Sequence, residues 1–490
     1  MTGKRSAKHK PAKPAKGSLS GPLLTRLRSS FEMNEADRAR FNAIACCDLN
    51  ELALSHELKA KDDGLFSHRV TTKGITNQKA AGLCWLHASL NLLRPRVMQK
   101  LGLENFEFST AYLQFWDLLE KGNRYLEGVI KLREADPLDR TWKTLNQWTA
   151  GDGGWWAYAR ALIQKYGLVP ASVMPETKNN KDTRIMSKVL TELLRSKAAE
   201  ILRESDQGSQ ETSLRKIKEG AMEDVFRFLS LNLGVPPTGF EWRYKKQKQS
   251  NESKKKGVKQ DQITAFKKYT PQSFFQKTVG LELSDYHCLF HTPDRPFDKH
   301  YVFDEQCGTV GADEMNFVNL DIGTIKKICL KAILADEPIP FGVDMGIDQS
   351  TKHGLMEHKL FDYESLFGIK MELTKAQRKR LCAPRAGHMM AIIGADLKKG
   401  HPQKWLVENS WGDEKGQKGL WTLFDSWFDE HVDHIIAHKK QAITLPISAV
   451  DITDTTNHMG RIQQWKNHQW VQRDITIGLI GDHDIEIITP

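Results

Sequence analysis

Cys84, His388 and Asn409 are the residues of this chain whose types and surroundings best suit chemistry. Cys84 follows Gln78-Lys79-Ala80-Ala81-Gly82-Leu83 and leads through Trp85 into the apolar, helix-prone stretch 86–93. His388 follows Gly387 and opens the apolar run Met389-Met390-Ala391-Ile392-Ile393-Gly394, while Asn409 stands within Val407-Glu408-Asn409-Ser410-Trp411-Gly412. A cysteine opening a helix, a histidine opening a strand and an asparagine on the next strand make up a Cys-His-Asn set for nucleophilic catalysis. The pattern points to a cysteine peptidase.

Each residue then has an expected role. The thiolate is the attacking form, and a helix N-terminus together with an imidazolium partner would lower the pKa of Cys84. His388 is the expected general base, held in its tautomer by Asn409, with Trp411 shielding their hydrogen bond from water. Gln78, six residues before the cysteine, is a candidate side-chain donor to the oxyanion, beside the N–H groups of the helix end. Gly412, Gly416 and Gly419 permit the turns by which the strand returns. Taken singly, a helix cysteine or a histidine before a strand is more often a core residue. The three motifs in this order outweigh that reading.

The elements that must position these groups are legible in outline. Residues 186–202 place Met186, Val189, Leu190, Leu193, Leu194, Ile201 and Leu202 at helical spacing, and 214–233 continue the pattern until Gly234-Val235-Pro236-Pro237. A helical run over 323–335 precedes a strand at Pro340-Phe341-Gly342-Val343-Asp344. The last third reads as strands at 389–393, 405–407 and 419–424, with Lys398-Lys399-Gly400-His401-Pro402 turning between the first two. A helical part thus carries the cysteine, and an antiparallel sheet carries the histidine and asparagine.

Charge and cysteine usage narrow the class. The net charge is +10, but residues 1–30 carry +8 and residues 243–259 carry +7, so the rest of the chain stands at −5. Both segments are low in complexity and read as solvated: a disordered basic tail at 1–30 and a Lys-rich surface loop at 243–259. Weak, non-specific binding of polyanions or nucleic acid is the most they imply. No apolar run approaches the roughly 18 residues of a membrane span, so no membrane partner is expected. The seven cysteines are odd in number and scattered, as suits a reducing, cytoplasmic setting. The vicinal Cys46-Cys47 lack metal-ligand spacing and read as small buried residues of a helix.

Further motifs carry a specific resemblance. Ile75-Thr76-Asn77-Gln78-Lys79, Gly82-Leu83-Cys84-Trp85, Asp152-Gly153-Gly154-Trp155-Trp156, Lys165-Tyr166-Gly167-Leu168-Val169-Pro170, Tyr363-Glu364-Ser365-Leu366-Phe367-Gly368 and the stretch 407–419 are similar to the bleomycin hydrolase family of papain-like cysteine aminopeptidases. The similarity runs from about residue 35 to about 445. It implies an α+β, papain-like two-lobed fold, a helical lobe plus an antiparallel sheet or barrel lobe, with a large helical insertion over about 186–335. That insertion accounts for Cys84 and His388 lying 304 residues apart. The peptidase domain would span 31–450, with a C-terminal arm at 451–490.

The resemblance also implies a homohexamer with peptide substrates, release of single N-terminal residues, and neither cofactor nor metal. Gly153 and Gly154 match the bare backbone along which substrate runs, although a plain turn into a helix is the simpler reading. Some positions depart from the pattern. Ala81 and Leu83 replace residues of the related Cys-Gly-Ser/Ala-Cys-Trp/Tyr motif, Met389 stands where alanine is usual, and the sequence after about Leu445 diverges. In the family that terminal arm enters the cleft and limits cleavage to N-terminal residues. An altered arm keeps two alternatives in view: an endopeptidase or transferase on the same site, or a polyanion-binding, chaperone-like assembly with a vestigial site. His431, His434 and His438 invite a metal reading, but no cysteine or placed acid completes that set, and none is expected.

Overall fold

The stretch that begins at Cys84 is helical to Leu101, and its side chains are buried on nearly every side from Trp85 to Arg94. A helix apolar all round must be covered all round, and this one lies between a layer of helices and a sheet. The computed structural model describes residues 16–147, 149–246, 263–303, 308–381 and 387–443, with the backbone of 460–466, 469–475 and 485–488. The described chain forms two units, one of residues up to His56 with Phe361–Met371, the other of Glu57–Leu360 with the residues from Glu372 onward.

In the first unit, residues expected to be disordered include a helix, Gly21–Ser29. Ser20 caps it by accepting the Leu23 N–H, and Pro22 sits in its first turn, where its missing N–H costs nothing. Residues 1–15 lie outside the described chain. The helix Glu35–Cys46 opens with a reciprocal capping box between Asn34 and Asp37. It buries none of its residues, so Cys46 and Cys47 are exposed, contrary to the expected burial.

The second unit holds both lobes. Thr110–Lys131, Trp156–Tyr166, Arg184–Asp206 and Glu211–Leu233 are helices, and the periodicity read over 186–202 buries Met186, Leu190, Leu194 and Ile201. The segment 186–335 is less uniformly helical than expected. Between Leu233 and the helix Ile322–Leu334 it contains strands at Phe240–Trp242, Lys267–Tyr269, Tyr286–Phe290, Lys299–Phe303 and Asn316–Asn319. Their short runs rich in aromatic and β-branched residues favour strands. Phe240–Trp242 and Lys267–Tyr269 pair with each other, flanking the Lys-rich excursion, most of which lies outside the described residues.

The main sheet sets Tyr286–Phe290, Val432–His438, Ile339–Val343, His388–Lys398, His401–Glu408 and Leu420–Phe424 side by side, each pair antiparallel. His388 faces Val343, and Ala391 faces Glu408. Continuing that register carries Asn409 off the end of its strand toward the end of the next strand, where His388 sits.

Candidate active site

His388 and Asn409 meet. The His388 Nε2 lies 2.8 Å from Asn409 Oδ1, and both side chains are buried. An amide oxygen can only accept, so Nε2 carries the proton and Nδ1 keeps its lone pair. The Trp411 ring lies 4.7 Å from the imidazole, tilted by 34°, and packs edge-on against Trp421.

Cys84 is the first residue of its helix, with Leu83 as an N-cap that makes no side-chain capping bond. The backbone N–H groups of Met389 and Trp85 lie close enough to its thiol to favour the thiolate. Met389 follows His388, so the thiol lies against the strand end that bears the imidazole. Burial raises the thiol pKa, opposed by these N–H groups and reinforced by the nearby Asp152. Burial likewise pushes His388 down to about 4, opposed by the Asn409 hydrogen bond. Desolvation therefore acts against the lowering expected from the helix end, at the thiol and at the imidazole alike.

Gln78 is fixed at both ends of its amide. Its Nε2 donates to the Ala81 carbonyl at 2.7 Å, its Oε1 accepts from Ser410 Oγ at 2.7 Å, and its N–H donates to the Ser410 carbonyl at 2.8 Å. One amide hydrogen is left for a substrate. Gly412 donates its N–H to Thr76, and its φ of +80° brings it so close to Asn77 that a Cβ would sit 2.3 Å from Asn77 Nδ2. Only glycine fits this crossing of the two motif segments.

The two glycines of the neighbouring loop differ. A Cβ on Gly154 would strike the Trp85 ring at 2.6 Å, whereas one on Gly153 would meet nothing within 4 Å. Gly154 packs against the cysteine helix, while Gly153 opens on free space before the helix at Trp156.

Sequence reasoning missed the brace beneath this loop. Buried Lys121 spends its three donors on Asp117 Oδ2 at 2.6 Å and on the Gly151 and Gly153 carbonyls at 2.7 Å each. Asp152 accepts the Gly82 N–H at 2.6 Å and the Thr183 hydroxyl at 2.5 Å, and its carbonyl accepts Trp85 Nε1 at 2.8 Å. A lysine four residues after an aspartate reads as a surface helix pair, and nothing local marks it as buried.

The three histidines near 434 do not converge. His431 ends the helix Asp425–His431, His434 lies between Trp155 and Phe290, and His438 approaches Asp285. Among the described residues, the metal-capable side chains that do gather are Asp348, His358 and His431.

A cysteine-bearing helix set against a sheet that presents a histidine-asparagine pair defines the papain-like cysteine peptidases. The chain belongs to the Peptidase C1-like family, whose sequence pattern matches residues 18–465. It is 33% identical over 426 residues to aminopeptidase C of Streptococcus thermophilus, covering 86% of this chain and 93% of that one. Aminopeptidase C of Listeria monocytogenes is 32% identical, over 77% of this chain and 82% of its own. The crystal structure of PepW from Lactobacillus rhamnosis superposes with a TM-score of 0.82 at 31% identity, covering 88% of this chain and 94% of that chain.

Proposed function

We propose that Cys84 attacks the scissile carbonyl of a peptide, with His388 as the base and Asn409 as its orienting partner. The chain is a cysteine-type aminopeptidase of the bleomycin hydrolase type. The observation that carries the assignment of roles is the His388–Asn409 hydrogen bond on the strand end that faces the Cys84 thiol. The thiol proton passes to His388 Nδ1 as the C–S bond forms. The oxyanion is met by the spare Gln78 hydrogen and the unpaired N–H groups at the helix start. His388 then protonates the leaving amine, and a thioacyl-enzyme remains for water to hydrolyse with the same imidazole as base.

Gly153 offers bare backbone to the substrate chain. The C-terminal arm is the element that limits cleavage to the first residue. In its support, the backbone of Ile485–Ile488 pairs in parallel with Lys299–Phe303, bringing Ile488 beside Phe303. The Phe303 ring in turn stacks on Trp155, the residue after Gly154. Six chains of 55.8 kDa assemble into a hexamer of about 335 kDa, a reading that rests on the family resemblance. No described helix is long and apolar enough to cross a membrane, and the five described cysteines are free, which suits a cytoplasmic enzyme.

The test is intact-mass analysis of matched peptides with free and acetylated N-termini. Free peptides should shorten one residue at a time, acetylated ones should persist, and deleting the last few residues should open the acetylated set to cleavage. Equal cleavage of both sets by the full-length chain would overturn the aminopeptidase reading.

A further inference from the structure

His431 is a buried histidine with both ring nitrogens out of water and without a hydrogen-bond partner. A neutral imidazole always presents one N–H and one lone pair, so an unmet ring is costly inside a protein. Its neighbours include the Trp427 ring at 4.7 Å and the His358 ring at 6.2 Å. His358 Nδ1 is likewise buried and unbonded, 3.8 Å from Asp348 Oδ2.

The local backbone explains the gathering. Gln349 pairs with Met356 and Ser350 with Leu355, so Asp348 and His358 flank the open end of a short hairpin. Asp348 is held there: its Oδ2 accepts the Lys359 N–H at 2.8 Å, and its carbonyl accepts the Glu357 N–H at 3.3 Å. His431 arrives from the helix Asp425–His431, anchored where its carbonyl accepts the Asp344 N–H at 3.1 Å. One donor atom each from Asp348, His358 and His431 lies within 4.8 Å of the other two.

We propose that Asp348, His358 and His431 bind a divalent transition-metal ion, best matched by zinc, through two imidazole nitrogens and one carboxylate oxygen. Zinc bonds of about 2.0–2.2 Å in a tetrahedron require donor atoms about 3.4 Å apart, a contraction that side-chain rotation on a hairpin end supplies. Two imidazoles select zinc-like ions over magnesium or calcium, which take oxygen ligands. A fourth position is left for water. The nearby cations Lys375 and Arg378 oppose a metal charge, but both are engaged: Lys375 donates to the Val432 and Asp429 carbonyls, and Arg378 pairs with Glu430 at 2.7 Å. Glu357, buried beside His358 and bonded to Ser426, adds negative charge to the pocket. None of the three ligands belongs to the catalytic set. The ion joins the hairpin to the head of the strand Val432–His438, whose Val432 pairs with Val343, the partner of His388.

The experiment uses the full-length chain carrying Cys84→Ala, so that the nucleophilic thiol cannot bind the metal. Bound zinc is measured by elemental analysis after equilibrium dialysis, melting temperature is read with and without zinc chloride, and cobalt replaces zinc for visible spectroscopy. The expected result is one more equivalent of zinc in the Cys84→Ala chain than in chains that also carry His358→Gln or Asp348→Asn. Zinc should raise the melting temperature of the first and not of the other two, and only the first should show tetrahedral cobalt bands. A control replacing exposed His401 with Gln should keep the full uptake. On the Cys84 background, His358→Gln should retain its peptidase rate in chelator. Equal zinc uptake and equal melting shifts in parent, His358→Gln and Asp348→Asn chains would overturn the site. So would a parent that takes up no zinc.

Discussion

Arg94 donates to Glu408 at 2.6 Å with both side chains all but out of water, 2% and 1% exposed. Arg94 lies ten residues along the cysteine helix, and Glu408 immediately precedes Asn409. The pair therefore ties the helix that begins at Cys84 to the segment that carries Asn409, the partner of His388. Asn91 adds a second bond to the same oxygen at 2.9 Å, and Arg94 also donates to the Gly74 carbonyl at 2.9 Å. Burial raises the Glu408 pKa, chiefly opposed by the Arg94 charge.

Removing one partner leaves the other charge buried and unpaired. Arg94→Met should cost about 3–5 kcal/mol of stability, seen as a lower midpoint in urea unfolding. Combining it with Glu408→Gln should recover part of that loss. A double variant no more stable than Arg94→Met alone would show that the two charges are not coupled.

Gln78→Ala should lower kcat by about 10²–10³ with little change in KM, as for other oxyanion donors. Steady-state kinetics on a free-amine peptide checks this. A change confined to KM would move Gln78 from the oxyanion to ground-state binding.

Asn409→Ala should shift the acid limb of kcat/KM to lower pH while reducing kcat. The Asn409 bond favours the imidazolium and so raises the His388 pKa against burial. Without it the pKa falls further below about 4, and the cation formed during the reaction loses its acceptor. An acid limb that moved up in pH would contradict this electrostatic picture. His388→Ala should abolish turnover altogether.

Gly153→Ala and Gly154→Ala should separate binding from folding. The first has open space for its methyl and should raise KM with an unchanged melting temperature; the second drives its methyl into Trp85 and should lower the melting temperature. Equal loss of stability in both would remove Gly153 from the substrate path.

The sulfhydryls give a direct contrast. Cys46 and Cys47 are exposed and should react with small alkylating agents, as should Cys84. A chain with Cys46→Ser and Cys47→Ser should keep its activity and its inactivation by iodoacetamide, whereas Cys84→Ala should be folded and inactive. Substantial peptidase activity in Cys84→Ala would end the proposed mechanism.

What the sequence made visible follows the range of the interactions involved. The cysteine helix, the histidine strand and the Asn409 segment are written in contiguous residues, and their periods of 3.6 and 2 can be read locally. The helices at Arg184–Asp206 and Glu211–Leu233 were legible for the same reason. The Arg94–Glu408 pair and the Lys121 brace were not, because each joins residues whose neighbourhood only the fold creates. The helix Gly21–Ser29 hid within a Lys- and Pro-rich stretch whose overall composition argues for disorder. The desolvation that raises the Cys84 pKa and lowers that of His388 escaped because the sequence does not display burial.

The loop beneath the cleft has one more consequence. Lys121 and Asp152 hold it by ammonium and carboxylate contacts, and no sulfur bridge joins the described cysteines. Strong thiol reductants can therefore keep Cys84 active without loosening the wall it faces. Oxidation of Cys84 that stops at the sulfenic or mixed-disulfide stage should then reverse with these contacts intact.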